Sequence, residues 1–125
     1  MARILVIDDN TSMREALCEM LRQAGHEAVD IASGRLAMQV HRNEPVDLII
    51  TDIFMPDTDG LEVIFTFRRD FPAVKIIAVS GGGSRGMVEL LAVARKMGAQ
   101  RAFMKPFSWD ELLAAVEELL AEPAQ

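Results

Sequence analysis

The feature that most constrains the fold is the alternation, along the chain, of short apolar runs with longer amphipathic stretches. This pattern is typical of repeated βα units around a parallel sheet, because each strand is followed by a helix that covers the sheet. The runs predict strands at Ile4–Ile7, Glu27–Ile31, Leu48–Thr51, Lys75–Val79 and Ala102–Met104. The first, third and fourth runs are almost continuously apolar, so we expect them at the centre of the sheet and the other two at its edges.

The stretches between the runs carry helical periodicity. The clearest one places apolar residues at helical spacing from Met13 to Ala24, and Gly25 then ends it. The last helix begins with a capping-box pattern, in which Ser108 is followed by Glu111. Repeated βα units with right-handed crossovers predict a doubly wound α/β fold, and we expect one domain over residues 1–125 with no output domain in this chain.

Composition narrows the functional classes. The 125 residues are 50% apolar and 26% charged, enough for one core without a structural metal or disulfide. Cys18 is the only cysteine, and with only His26 and His41 besides, no zinc-ligand spacing is present. A net charge of −6 disfavours direct contact with nucleic acid. A single cysteine cannot form an internal disulfide, which indicates a reducing, cytoplasmic setting. No apolar run approaches the ~20 residues of a membrane span, so we expect no membrane insertion.

Polar side chains stand where the predicted strands end. The first strand ends at Asp8 and Asp9, the third at Asp52, the fourth at Ser80 and the fifth at Lys105. Ligands of a doubly wound sheet bind beyond the carboxyl ends of its strands, so these side chains should converge on one crevice. Two carboxylates about 5 Å apart repel by roughly 3 kcal/mol at an effective dielectric near 20. A divalent cation would relieve that repulsion, and Mg²⁺ prefers oxygen ligands of this kind.

These motifs, in this order, resemble those of response regulator receiver domains of the chemotaxis-regulator type, and the resemblance covers essentially the whole chain. The matching segments are Asp8-Asp9-Asn10-Thr11-Ser12-Met13-Arg14, Asp52 with Met55-Pro56 and Asp59-Gly60, Ser80-Gly81, and Gly98-Ala99 leading to Lys105-Pro106-Phe107. The resemblance implies a five-stranded parallel sheet in the flavodoxin-like order 2-1-3-4-5. It also implies a phosphoprotein of two-component signal transduction rather than a turnover enzyme.

The resemblance further implies how a phosphoryl group would arrive. Asp52 would accept it from a phosphohistidine on a sensor histidine kinase or a histidine phosphotransfer protein, with Mg²⁺ as cofactor. Asp9 would bind the ion directly and Asp8 through water. Asp52 and the backbone carbonyl of Phe54 would complete the protein's ligands. The phosphorylated form would signal to a downstream protein that the sequence does not identify.

The phosphoryl oxygens would be bound by Lys105, by the hydroxyl of Ser80 and by the amide of Gly81. The bond between Lys105 and Pro106 is expected to be cis by the same resemblance. The glycines from Gly81 onward are better interpreted as a βα loop than as a phosphate cradle, because their spacing matches neither G-x-G-x-x-G nor a P-loop.

One position departs from the family pattern. Receiver domains usually carry an aromatic residue or histidine three positions before the lysine, and here that residue is Ala102. Phe103 follows it and, by strand alternation, should face the other side of the sheet. We therefore expect the signal to leave the site through the glycine loop rather than through β5.

Two alternatives stay open. Asp57-Thr58-Asp59-Gly60 is similar to the nucleophile motif of haloacid-dehalogenase-type phosphatases, although that motif should begin at the end of a buried strand, and the strand here already ends at Asp52. The other alternative is a receiver-like module that binds partners without phosphorylation, against which the full acidic set argues. We expect Cys18 to pack in the core, and His26 and His41 to lie on the surface with no catalytic part.

Overall fold

The sheet organises the molecule. The computed structural model describes residues 2–53, 60–81 and 86–122. Its strands pair in parallel in the order β2-β1-β3-β4-β5. They are β1 (Arg3–Ile7), β2 (Glu27–Ile31), β3 (Leu48–Asp52), β4 (Lys75–Gly81) and β5 (Arg101–Lys105). The predicted α/β fold and strand order are confirmed, with β2 and β5 at the edges.

The helices follow the strands in alternation. They are α1 (Thr11–Gln23), α2 (Ala37–Asn43), α3 (Gly60–Asp70), α4 (Met87–Met97) and α5 (Trp109–Ala121), and a 3₁₀ turn at Gly34–Leu36 precedes α2. The side chain of Asn10 caps α1 by accepting the N–H of Met13 at 3.0 Å. Ser108 caps α5 by accepting the N–H of Glu111 at 3.2 Å, as the sequence predicted. Within the described ranges, none of these helices has the length and apolar character needed to cross a bilayer.

The two faces of the sheet carry separate layers of core. Successive strand residues point to opposite faces, so each of β1, β3 and β4 contributes to both layers. Residues of α1 and α5 pack on one face against Ile4, Val6 and Ile50. Residues of α2, α3 and α4 pack on the other. Cys18 belongs to the first layer, where it is 1% exposed and burial raises the pKa of its thiol, so its predicted packing role is confirmed.

The structure shows that the predicted surface position of His41 is wrong. Its residue is 8% exposed, and its ring centroid lies 4.3 Å from that of Phe71 and 5.5 Å from that of Phe67. Its Nδ1 accepts the N–H of Val46 at 3.0 Å. Burial, reinforced by the charge of Arg42, lowers the pKa of His41. The imidazole is therefore a neutral part of the core where α2 packs against α3 and Phe71.

His26 is also less exposed than predicted, because 8% of its side chain is accessible. Its Nδ1 accepts the N–H of Ala2 at 3.3 Å, and its Nε2 lies 2.6 Å from a carboxylate oxygen of Glu117. His26 borders a cavity of about 600 Å³ at the amino-terminal edge of the sheet. None of the strand-end residues Asp8, Asp52 or Lys105 lines that cavity, so the predicted site lies elsewhere.

Candidate functional site

Three carboxylates meet at the carboxyl edge of the sheet. β1 and β3 are neighbours in the register Ile7↔Thr51, so the acids that follow these residues stand side by side. One carboxylate oxygen each from Asp8, Asp9 and Asp52 lies within 4.8 Å of the others. Asp8 is 1% and Asp52 6% exposed, whereas Asp9 is exposed. The structure thus brings together the acid cluster expected from the strand ends.

Lys105 contacts two members of this cluster. Its Nζ donates to Oδ2 of Asp8 at 2.7 Å and to Oδ2 of Asp52 at 3.1 Å, and 16% of its side chain is exposed. Burial by itself would lower the pKa of Lys105. The hydrogen bond to Asp8 and the charge of Asp52 outweigh that effect, so the pKa is raised and the group stays an ammonium. A fixed positive charge therefore lies against both buried carboxylates.

Asp8 is held in place from several directions. Its N–H donates to the carbonyl of Ile31 at 3.2 Å, and its Oδ1 accepts the N–H of Asn10 at 2.9 Å. Its carbonyl oxygen accepts a hydrogen bond from Nη1 of Arg14 at 2.9 Å. No role for Arg14 was predicted from the sequence. Its second acceptor, Asp30, lies in β2 beside β1, and only the strand register of the folded sheet brings the two acceptors together.

The phosphate-binding candidates lie on the neighbouring strands. Val79 of β4 pairs with Asp52, so Ser80 comes directly after the residue beside the acid, and Ser80 is fully buried. Gly81 pairs with Lys105 across β4 and β5. The bond from Lys105 to Pro106 is cis, as expected.

Some predicted residues lie outside the described ranges. They are the metal ligand Phe54, the acids Asp57 and Asp59 of the alternative phosphatase motif, and the loop glycines Gly82 and Gly83.

A close approach between α3 and β3 escaped the sequence analysis. A Cβ on Gly60, the first residue of α3, would overlap the carbonyl oxygen of Asp52 and the Cα of Ile53. Only glycine therefore lets α3 begin against the backbone of the candidate phosphoacceptor. The glycine was visible in the sequence, but nothing there indicated which segment it would meet.

Ala102, at the usual switch position, and Phe103, which follows it, pack on opposite faces of the sheet. Ala102 pairs with Ala78 and packs with the layer of α2, α3 and α4. Phe103 packs with the opposite layer, as predicted, and its ring centroid lies 6.2 Å from that of Phe107. Phe107 in turn lies 5.4 Å from Trp109 at the start of α5. A row of aromatic rings therefore runs from β5 to α5 on the face away from Ala102.

The donor set of the acid cluster suits a hard divalent cation. Its ligand atoms are carboxylate oxygens, Asp8 and Asp9 are adjacent in sequence, and Asp52 comes from the neighbouring strand. Mg²⁺ is bound in proteins by a few carboxylates and completes its shell with water. An exposed Asp9 beside two buried acids leaves a side of the cluster open to solvent, as such a shell requires.

Comparison with known proteins identifies the family of this chain. Residues 4–117 match the response regulator receiver domain family. The chain is 32% identical to the chemotaxis protein CheY of Listeria monocytogenes over 119 residues, covering 94% of this chain and 98% of that protein. It is 31% identical to the response regulator protein FleR of Pseudomonas aeruginosa over 115 residues, which is 92% of this chain but 24% of FleR. The chain thus spans about a quarter of some relatives and nearly all of others.

A solved structure of a response regulator protein is also similar to this chain. The response regulator protein TrrA of Thermotoga maritima, in complex with Mg²⁺-BeF, superimposes with a TM-score of 0.81 at 35% identity, covering 95% of this chain and 99% of TrrA. The fold is that of a single doubly wound α/β domain with an acid cluster at the carboxyl ends of its strands. This chain belongs to the response regulator receiver domain family of two-component signalling.

Proposed function

We propose that this chain takes a phosphoryl group from a phosphohistidine onto Asp52 and passes the resulting state to a partner protein. The donor is a sensor histidine kinase or a histidine phosphotransfer protein. The observation that carries the proposal is the placement of the Lys105 ammonium, 2.7 Å from Asp8 and 3.1 Å from Asp52. A buried acid beside a fixed positive charge can receive a group that brings more negative charge with it.

The transfer needs positioning and charge neutralisation. An oxygen of Asp52 forms a bond to phosphorus while the bond from phosphorus to the donor histidine nitrogen breaks, and the imidazole keeps the electron pair. Lys105 would bind one phosphoryl oxygen, and the hydroxyl of Ser80 and the amide of Gly81 would bind the others. Gly81 is suited to this because the register places it beside Lys105.

Asp8, Asp9 and Asp52 would hold Mg²⁺, and the carbonyl of Phe54 would serve as a further ligand. The bound ion would neutralise charge on the phosphoryl oxygens. The spacing of the three carboxylates, within 4.8 Å of one another, supports this assignment.

The same proposal includes where the protein acts and what kind of partner it contacts. The protein acts in the cytoplasm as a signalling domain without turnover of a small substrate, and its output is contact with a protein rather than with DNA or a membrane. The net charge of −6 supports a protein partner over nucleic acid.

A small-molecule phosphodonor tests the proposal directly. Intact-protein mass spectrometry should show a single phosphoryl adduct that requires Mg²⁺, and Asp52→Asn should abolish it. Asp70→Asn is the matched control, since Asp70 is a surface acid of α3 paired with Arg69, and it should leave the adduct unchanged. An adduct that survives Asp52→Asn and maps to Asp57, together with phosphoester turnover, would replace this proposal with the phosphatase alternative.

A further inference from the structure

Arg14 links the metal-site segment to the edge strand of the sheet. It lies in the first turn of α1, and 15% of its side chain is exposed. Its Nη1 donates to the main-chain carbonyl of Asp8 at 2.9 Å, and its Nε donates to Oδ2 of Asp30 at 3.0 Å. One planar guanidinium therefore joins the ends of β1 and β2.

The hydrogen bond to the Asp8 carbonyl has a geometric consequence. That carbonyl belongs to the peptide unit between Asp8 and Asp9, which is planar. Fixing its direction fixes the plane of the peptide, and with it the direction in which Asp9 leaves the strand. The N–H of Asn10 donates to the Asp8 carboxylate at 2.9 Å and so orients the side chain of Asp8. Arg14 orients its main chain.

Arg14 differs from Lys105 in how it acts on the cluster. Lys105 bonds to carboxylate oxygens of the cluster, whereas Arg14 bonds to Asp8 through its main-chain carbonyl. Arg14 can therefore orient the acids without competing for their oxygens. Asp30 gives the guanidinium a second acceptor, which fixes its plane because Nε and Nη1 belong to one rigid group.

We propose that Arg14 is a positioning residue for divalent-cation binding, with Asp30 as its anchor. It sets the peptide between Asp8 and Asp9 in the orientation in which Asp9 faces the ion. This inference rests on the proposed function only in taking the acid cluster as a Mg²⁺ site.

The experiment measures the Mg²⁺ dissociation constant from amide chemical shifts of the segment from Asp8 to Asn10. Outer partners of metal ligands typically change metal affinity by about 10-fold or more when removed. We expect Arg14→Gln to weaken Mg²⁺ binding roughly 10-fold. Arg14→Lys should restore part of the loss, because an ammonium can reach one acceptor but not hold both. Asp30→Asn should weaken binding less than Arg14→Gln.

Arg22 offers a matched control. It lies in the last turn of the same helix, and its Nη2 donates to the main-chain carbonyl of Ala28 at 2.8 Å, so it makes the same kind of link between α1 and β2 away from the acids. Arg22→Gln should lower the melting temperature about as much as Arg14→Gln does, and it should leave the Mg²⁺ dissociation constant unchanged.

The outcomes separate this inference from the proposed function. If the parent protein shows no Mg²⁺-dependent shifts, the proposed metal site is wrong. If the parent binds Mg²⁺ and both Arg14→Gln and Arg14→Lys bind it equally well, the role of Arg14 is wrong. An equal loss of affinity in Arg22→Gln would also overturn it, because the effect would then follow stability rather than position. Should Arg14→Gln fail to fold, Arg14→Lys and Asp30→Asn decide by the same criterion.

Discussion

Replacing Lys105 by methionine tests the electrostatics of the site most directly. The substitution keeps an unbranched side chain of similar length and removes the ammonium bonded to Asp8 and Asp52. Both carboxylates are buried, at 1% and 6% exposure, so water cannot replace the lost charge fully. We therefore expect the folded state without metal to be destabilised and its dependence on Mg²⁺ to increase.

The magnitude follows from the spacing of the acids. Carboxylate oxygens that lie within 4.8 Å of one another repel by at least about 3.5 kcal/mol per pair at an effective dielectric of 20. A carboxylate can escape this repulsion by taking up a proton, which costs about 4 kcal/mol at pH 7 for a free aspartate side chain, so the repulsion cannot destabilise the fold by more than about that amount. Removing one partner of a buried ion pair typically costs ~3–5 kcal/mol. Because 16% of the Lys105 side chain is exposed, we expect the lower end, about 3 kcal/mol, or a fall in melting temperature of roughly 10 °C.

Thermal and urea unfolding at pH 7, with and without Mg²⁺, would measure this. An ion at 100 times its dissociation constant stabilises a folded protein by about 2.7 kcal/mol. The gain should be larger in Lys105→Met than in the parent, because the variant's carboxylates no longer have the ammonium. Lys75→Met is the control. Lys75 is 5% exposed and is the first residue of β4, at the amino-terminal end of the strand and away from the acid cluster. Its replacement should lower stability without changing the gain from Mg²⁺. Equal Mg²⁺ gains in the parent and Lys105→Met would refute the reasoning.

Three further predictions concern other parts of the molecule. Burial lowers the pKa of His41, so below pH ~6.5 the unfolded chain binds a proton that the folded chain does not. The free energy of unfolding should therefore decrease as the pH is lowered, by at most about 1.4 kcal/mol per pH unit. His41→Gln should flatten this slope in urea unfolding between pH 7.5 and 5.5, and an unchanged slope would contradict the assignment. Gly60→Ala should destabilise the fold by about 1–3 kcal/mol, since the added methyl overlaps the backbone at Asp52; a urea midpoint equal to the parent's would show that α3 shifts freely. Hydrogen exchange with Mg²⁺ and a beryllofluoride phosphoryl mimic should show added protection in residues 80–86 and little change at Phe103, and the reverse pattern would assign the response to β5.

The strands and the site were predictable for the same physical reason. Apolar runs that must be covered on both faces mark strands, and the carboxyl ends of parallel strands lie on one edge, so Asp8, Asp52 and Lys105 had to approach one another. The contact between Lys105 and Asp8 joins residues 97 positions apart, yet the strand pattern placed them on the same edge. Distances and partners within that edge depend on register and were not available from the pattern.

The features that were missed depend on tertiary contacts with little local signal. His41 belongs to the short helix α2, and its burial results from aromatic rings contributed by α3 and the segment after it. Arg14 lies in a helix whose apolar stripe was recognised, but its acceptors are the carbonyl of Asp8 and the carboxylate of Asp30, which only the packed sheet brings together. From the sequence, Asp8 and Asp9 could have been the N-terminal cap of α1. In the structure Asn10 caps that helix, and both acids belong to the cluster.

The position of Ala102 constrains how a phosphoryl group on Asp52 could change the surface. Lys105 shares its ammonium between Asp8 and Asp52, so added negative charge on Asp52 would draw it away from Asp8. A phosphoryl group changes the population of a second state only if that state binds it better. Ala102 offers one methyl group, whose displacement would change little buried surface, and Phe103 is already packed against the layer of α1 and α5. Neither residue of β5 therefore offers an evident carrier of the signal. The expectation that the glycine loop carries it rests on the sequence, because Gly82 and Gly83 lie outside the described residues, and it stays a prediction for the hydrogen-exchange experiment.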